Sequence, residues 1–355
     1  MKNPYLHLLA IIALLFLSGF RFPAHPDNAA AAASNAAEVL RLATAFKAML
    51  SETQIRTLEI PLTKAAATKW TNIPGGASNR NGLQFSTLSP EQLAAAKAVI
   101  KAAAGTAPNE GYDEFVQIGL ADQVIKDSGK NGYGVGEYII AFLGRPSSTG
   151  TWMLQFGGHH YAQNVVYDKG KTVSATPIFE GGDTREWTTE GKKYAPLFQE
   201  HEGMAAMLAS LSAGQLTRAK AEGKISDVLL GTTKDGQFPA TKAGIKIAEL
   251  NTGQKAQVIQ AMMPWLNDID GDLKQTLLKR YTRELDDTYI SFSGNDKAVA
   301  GNAASFLQEV GDYVRIDGPG VWIEFACQPG VFSSQSHYHT VFRDHRLDYN
   351  NLWDF

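Results

Sequence analysis

The sequence predicts an α+β fold, with a mainly antiparallel sheet built from the middle and C-terminal segments and flanked by helices. Three observations carry that reading. Apolar residues recur at helical spacing through the opening third, the period changes to two between Gly132 and Phe179, and short aromatic and β-branched runs return near the C-terminus. Consecutive runs are joined by connections too short for the crossovers that parallel neighbours need, so the strands should pair antiparallel. At 355 residues with 44% hydrophobic residues, the chain could form one large domain or two of ordinary size. No internal repeat or Pro-rich linker divides it, and a single domain over residues 34–355 is the simplest expectation.

Taken in order, the chain begins with Lys2 and the apolar run LHLLAIIALLFLSGF, residues 6–20, followed by Pro23 and Pro26. That is the order of a signal peptide, expected over residues 1–24, with a retained N-terminal anchor as the alternative. The body should then sit outside the cytoplasmic membrane, periplasmic or secreted. An Ala-rich segment at 25–33 is read as flexible. Behind Ser34, SNAAEVLRLATAFKAMLSETQIRTL reads as one helix. SPEQLAAAKAVIKAAAG reads as a second, with Ser89 as N-cap, Pro90 at the first helical position and Gly105 as its stop. YDEFVQIGLADQVIKD, residues 112–127, reads as a third.

The strands expected in the middle are GEYIIAFLG, TWMLQFGGHH, YAQNVVYDK and KTVSATPIF, separated by Gly, Pro, Ser or Asp-Lys-Gly turns. Helical pattern returns over 194–223, around Thr252–Trp265 and around Asp272–Asp286. The end reads as the strands TYISFSG, DYVRIDG, VWIEFACQ and HYHTVFRD, with a short helix near Asn302–Val310.

Charge and cysteine usage exclude several classes. The formal charge is −3 and the pI near 6.3, with no basic stripe to track phosphates, so nucleic acid is not an expected partner. No membrane contact is expected beyond the leader or anchor. Cys327 is the single cysteine, so no internal disulfide forms, and within VWIEFAC it reads as a buried small hydrophobe.

The residues that carry chemistry are histidines and a few charged groups. HYHTVFRDH places three of the chain's eight histidines within residues 337–345. Side chains alternate along a strand, so His337 and His339 share a face with Val341 and Arg343, and an H-x-H pair can give a metal two imidazoles. GGHH, residues 157–160, is the expected source of a third. If its strand keeps register, His160 shares the face of Trp152, Leu154 and Phe156, and His159 points the other way with Met153 and Gln155. The two preceding glycines could bend the strand and loosen that conclusion. Glu324 is the one ionisable side chain in VWIEFAC, and a carboxylate in an apolar strand requires an imidazole, an arginine (Arg315 or Arg343) or a cation as partner. Imidazole and carboxylate ligands without thiolate suit zinc or copper(II), and admit manganese or iron.

Familiar motifs fail. GYGVGE, residues 132–137, precedes a strand where a dinucleotide fingerprint must follow one, and GKT at 170–172 lacks the first glycine of a phosphate loop. HEGMA at 201–205 lacks the second histidine of H-E-x-x-H, and NDIDGD at 267–272 puts Leu266 and Leu277 at EF-hand ligand positions. There is no G-x-S-x-G elbow. A cupin is disfavoured because Arg343 and Asp344 stand where its glutamate belongs.

Several blocks together resemble one family: TKWTNIP and the following Arg80-Asn81-Gly82-Leu83, LSPEQ, IAFLGRPSSTGTW, LQFGGHHYAQN, ATPIFEG, YVRIDGPGVWIEF and HYHTVFRDHRLDYN. The chain is similar over these blocks to the family known as domain of unknown function 3500 (DUF3500), whose members look like exported bacterial proteins. The resemblance implies that GGHH, Asn164, Glu324, H-x-H and Arg343-Asp344 belong to a shared pattern, while His201 and His345 depart from it. The family name supplies no substrate, reaction or cofactor.

Two functions are compatible with these residues. One is a metal-dependent enzyme, with hydrolysis as the expected reaction, using His160, His337 and His339 as ligands, Glu324 as fourth ligand or general base, and Arg343 to hold an anionic substrate group or the developing charge. His159, Asn164 and Asp344 are further candidates for the same site. The other is a non-catalytic exported protein that binds a metal or a small molecule, the latter over an aromatic pocket of Trp152, Trp322 and Tyr338. A purely structural histidine cluster is the third reading.

Overall fold

In the computed structural model, residues 35–294, 297–330 and 336–355 are described. The expected leader and Ala-rich segment lie outside them. Among the described residues, no helix is long and apolar enough to cross a membrane.

Helix boundaries follow a recurring local device, Ser or Asn three residues before Gln. Ser89 accepts from the Gln92 backbone while the Gln92 side chain returns to the Ser89 backbone, and Pro90 opens the helix Pro90–Ala103. The same box at Asn251 and Gln254 starts the helix Thr252–Asn267. It also corrects two expectations. Ser51 with Gln54 splits the first expected helix into Ala36–Ala48 and Glu52–Leu58. Ser212 with Gln215 splits the 194–223 segment into Phe198–Ala209 and Ala213–Ala219. Each box satisfies orphan amides at a point where the apolar pattern alone runs on. The helices Tyr112–Asp127 and Gly271–Arg283 complete the larger set.

The strands are β1 (Glu59–Ile60), β2 (Leu83–Gln84), β3 (Ile139–Leu143), β4 (Thr151–Gly158), β5 (Tyr161–Asp168), β6 (Lys171–Ser174), β7 (Ile178–Gly182), β8 (Trp187–Thr189), β9 (Lys192–Tyr194), β10 (Ile245–Lys246), β11 (Tyr289–Ser293), β12 (Tyr313–Asp317), β13 (Val321–Gln328) and β14 (His337–Asp344). β8 and β9 form a separate hairpin with Trp187 stacked on Tyr194. The other twelve form one sheet in the order β1-β3-β4-β5-β7-β14-β13-β12-β11-β10, with β2 beside β3 and β6 beside β5. Of these pairings only β1 with β3 is parallel. The fold is α+β with a mainly antiparallel sheet, as the pattern predicts. KTVSATPIF is not one strand: it breaks at Ala175–Pro177 into β6 and β7, which pair in succession along one edge of β5.

Alternation sorts the sheet into two faces. Trp152, Leu154 and Phe156 of β4, with Phe342 of β14, point into the larger core under the helices. Met153 of β4, Phe179 of β7, Trp322 of β13 and Val341 of β14 point the other way, into a smaller core that includes Trp70, Leu230 and Tyr349. His337 and His339, in phase with Val341, belong to this second face, which is covered by chain segments around residues 66–73 and 228–238.

Trp265 locks the helix Thr252–Asn267 to the back of the histidine strand: fully buried, it donates from Nε1 to Thr340 Oγ1 at 3.0 Å. Trp265→Ala should cost about 3–5 kcal/mol in denaturant unfolding. A loss under about 1 kcal/mol would show that this helix does not hold β14 in place.

Candidate metal centre

Three histidines from two distant segments meet on the second face. His337 and His339 come from adjacent same-face positions of β14. His160 arrives from the β4–β5 hairpin, where Gly158 pairs with Tyr161 and His159-His160 is the two-residue turn. Extrapolated strand register would send His160 to the larger core with Trp152. The strand instead ends at Gly158, and His160 takes a left-handed backbone (φ 60°) that turns its ring toward His339. Its amide donates to the carbonyl of Asn72, and Arg80 ties that loop to the hairpin by donating to the carbonyls of Thr71 and Gly158, each at 2.8 Å.

The Nε2 atoms converge, with His337 to His339 at 3.1 Å and His339 to His160 at 3.3 Å. Metal–nitrogen bonds of about 2.0–2.1 Å in a tetrahedron imply edges of about 3.3 Å, so the spacing fits one zinc-sized ion. The rings are nearly dry, at 4%, 7% and 8% exposure for His337, His160 and His339. Burial first, and the neighbouring imidazoles second, hold His160 well below the usual histidine range and bring His337 down to about 4. Both are therefore neutral near pH 7, the form a metal requires.

The outer nitrogens face carboxylates. His339 Nδ1 meets Asp227 Oδ1 at 2.9 Å, and His337 Nδ1 faces Asp183 at 3.6 Å. With Nδ1–H given to Asp227, His339 keeps its Nε2 lone pair for the centre, the carboxylate–histidine arrangement of metal sites. Gly181 of β7, opposite His339, makes room: a Cβ there would lie 3.0 Å from His160 Cδ2 and 3.1 Å from His339 Cδ2.

Glu324 and Arg343 do not join the triad. Glu324 is fully buried, and its carboxylate accepts from Leu229 N (2.7 Å), Leu230 N (3.0 Å), Tyr313 OH (2.6 Å) and Trp322 Nε1 (2.8 Å). Burial raises its pKa against the pull of those four bonds. Arg343 donates to the carbonyls of Leu230 and Gly231 and pairs with Asp235 (3.0 Å) and Asp348 (2.9 Å). The partner that the apolar strand demands for Glu324 is thus a loop backbone rather than an imidazole or a cation. Together the two residues clamp the segment 229–235, and this segment continues from Asp227, the carboxylate that orients His339.

The remaining candidates are placed elsewhere. His159 lies beneath His160, with ring centroids 3.7 Å apart, and pairs through Nδ1 with Asp122 at 2.6 Å. Asn164 bridges Gln155 and the carbonyl of Pro177. Asp344 accepts from Tyr281, Arg280 and the amides of Arg346 and Leu347, fixing the C-terminal turn. His345 stacks on Phe238 and meets Asp317. The expected aromatic pocket does not form: Trp152 lies in the larger core, Trp322 in the smaller, and Tyr338 lines a separate cleft of about 670 Å³ with Arg185 and His201.

Sequence reasoning missed Asp227, Asp122, Asp183 and Gly181. Only Gly181 carried a signal, as the first of two consecutive glycines ending a strand.

The model of a family described as "Protein of unknown function (DUF3500)" matches residues 32–351. No curated protein and no solved structure matches the chain.

Glu324→Gln places an amide N–H₂ against donors and should cost about 1–3 kcal/mol. Arg343→Met leaves two carboxylates without their cation and should cost about 3–5 kcal/mol. Chemical denaturation of both variants checks this, and wild-type stability in both would dissolve the proposed clamp.

Proposed function

Because the chain belongs to the DUF3500 family, whose description assigns no activity, we propose from the geometry that His160, His337 and His339 hold one zinc or copper ion, and that the protein is a metal-dependent enzyme, hydrolysis being the reaction this suits. The observation that carries the reading is the convergence of three imidazole Nε2 atoms with a carboxylate behind one of them. Among the described residues, no fourth His, Cys, Asp or Glu joins this group. Structural zinc sites are closed by four protein ligands, whereas three ligands leave a position for water or substrate. A zinc ion in such a shell supplies Lewis acidity and lowers the pKa of its water toward about 7.

The chain's own residues have distinct parts in this reading. His160 and His337 enter as neutral ligands. Asp227, with its side chain 48% exposed, orients His339 and is the carboxylate at the rim. Glu324 and Arg343 act through the loop they hold, as positioning residues. The substrate is a small molecule. The proposed setting is the periplasm or the exterior, supported by Lys2 and the apolar run that follows it. N-terminal sequencing of protein recovered outside the cytoplasmic membrane should find a start beyond Phe20, and an intact Met1 would leave the anchored form.

Elemental analysis of protein purified without chelator, then incubated with zinc or copper, is the direct test. About one equivalent should bind, His339→Ala should lose it, and Asp227→Ala should weaken it about 10–100-fold. Less than about a tenth of an equivalent after incubation would end the proposal. Metal binding with no hydrolysis across ester, amide and phosphoester substrates would favour the non-catalytic metal-binding alternative.

A further inference from the structure

On the opposite face of the same sheet, a second group of ligand-type side chains is closed off from water. Glu110 precedes the helix Tyr112–Asp127, Glu114 lies in its first turn, Glu200 is on Phe198–Ala209, and Asp268 caps the end of Thr252–Asn267. One carboxylate oxygen from each of the four lies within 4.8 Å of the others, and all four residues are buried. That span equals the diameter of a coordination shell with metal–oxygen distances of about 2.4 Å.

A separate observation points into this group. Glu180 of β7 is a fifth carboxylate, 1% exposed, with neither oxygen partnered, and it faces the charges of Asp268 and Glu200. Glu200 meets only its own backbone amide and the Glu110 carboxyl, an acid–acid contact that needs a shared proton or a cation, and one oxygen each of Glu110, Glu114 and Asp268 is without a partner. Protein donors reach only part of the group: the Leu197 amide binds Glu114 at 2.8 Å, and the Gly111 amide binds Asp268 at 2.6 Å. Lys274 gives its ammonium to the Asn267 side chain and acts on Asp268 and Glu110 only through space, one positive charge against five acids. Buried carboxylates without compensation are too costly to retain as bare anions, so either protons or a cation must neutralise them. Without a cation, burial and then the neighbouring acids push Glu110 up to about 12 and burial pushes Glu200 up to about 7.

We propose that Glu110, Glu114, Glu200 and Asp268, backed by Glu180, bind one hard divalent cation, calcium or manganese, in a closed site behind the sheet. The all-oxygen donor set selects against copper and thiolate-seeking metals. Magnesium is disfavoured because it sheds its water reluctantly and the site is enclosed. Glu180 and Gly181 are consecutive on β7 and point to opposite faces, so this ion would sit behind the strand that makes room for the histidines.

The test uses the full chain, stripped with chelator and titrated separately with calcium, manganese and magnesium. Binding is followed by calorimetry and thermal unfolding, in wild type and in His339→Ala. Calcium or manganese should bind at one equivalent and raise the Tm in both proteins, with magnesium weaker. Glu200→Gln and Glu180→Gln should each weaken binding at least tenfold. The proposal is overturned if no saturable binding appears up to about 10 mM, tenfold above the weak end of protein calcium sites at about 1 mM, or if His339→Ala abolishes it. It is equally overturned if both glutamine variants bind as wild type does. Should those variants fail to fold, the wild-type and His339→Ala titrations decide alone.

Discussion

The pairing of β7 with β14 is the constraint on which the histidine centre depends. Gly181 stands opposite His339, and a Cβ at that position would lie 2.9 Å from the Tyr338 carbonyl as well as against two imidazoles. Any other residue forces the strands apart or the rings out of their triangle. The alternation of β14 then places both of its histidines on the face where the β4–β5 hairpin delivers the third. A one-residue slip in this pairing would carry both imidazoles to the helical core, where Trp265 and the buried acids lie.

Around that constraint the fold builds a second layer of support from groups that look catalytic in isolation. A lone glutamate in an apolar strand and a fully buried arginine are features usually associated with chemistry. Here each is saturated by hydrogen bonds and ion pairs, about half of them to the segment that crosses the second face, and their charges hold that segment in place. Asp227 reaches His339 because Leu229 and Leu230, just after it in sequence, are fastened to Glu324, and Leu230 and Gly231 to Arg343.

The fold class and most elements were legible in the sequence because they rest on local periodicity. His337 and His339 were legible as a pair for the same reason. The approach of His160 does not follow from strand register, which sends it to the face of Trp152; the strand ends two residues earlier, at Gly158, and the left-handed turn residue is not signalled by its neighbours. The apolar run shows that Glu324 needs partners, but the Leu229 amide that supplies one of its four bonds lies 95 residues away in sequence, in a segment without regular pattern. Asp227 was invisible for the same reason. The carboxylate group was invisible because its five members come from three helical segments and one strand, Glu110 and Glu114 from the first and one acid from each of the others, at positions that read as ordinary surface residues. The apolar pattern runs on past a helix end where a Ser-x-x-Gln box falls inside it, at Ser51 and at Ser212.

The fastening of 229–235 to the sheet also bears on exchange kinetics. His339 cannot swing out without parting from Asp227, and the segment that carries Asp227 is held by a carboxylate and a guanidinium that are both fully buried. An ion held by the three imidazoles, as proposed above, would therefore be expected to leave at the rate at which this strap peels away as a unit, rather than at the rate of a single ring rotation.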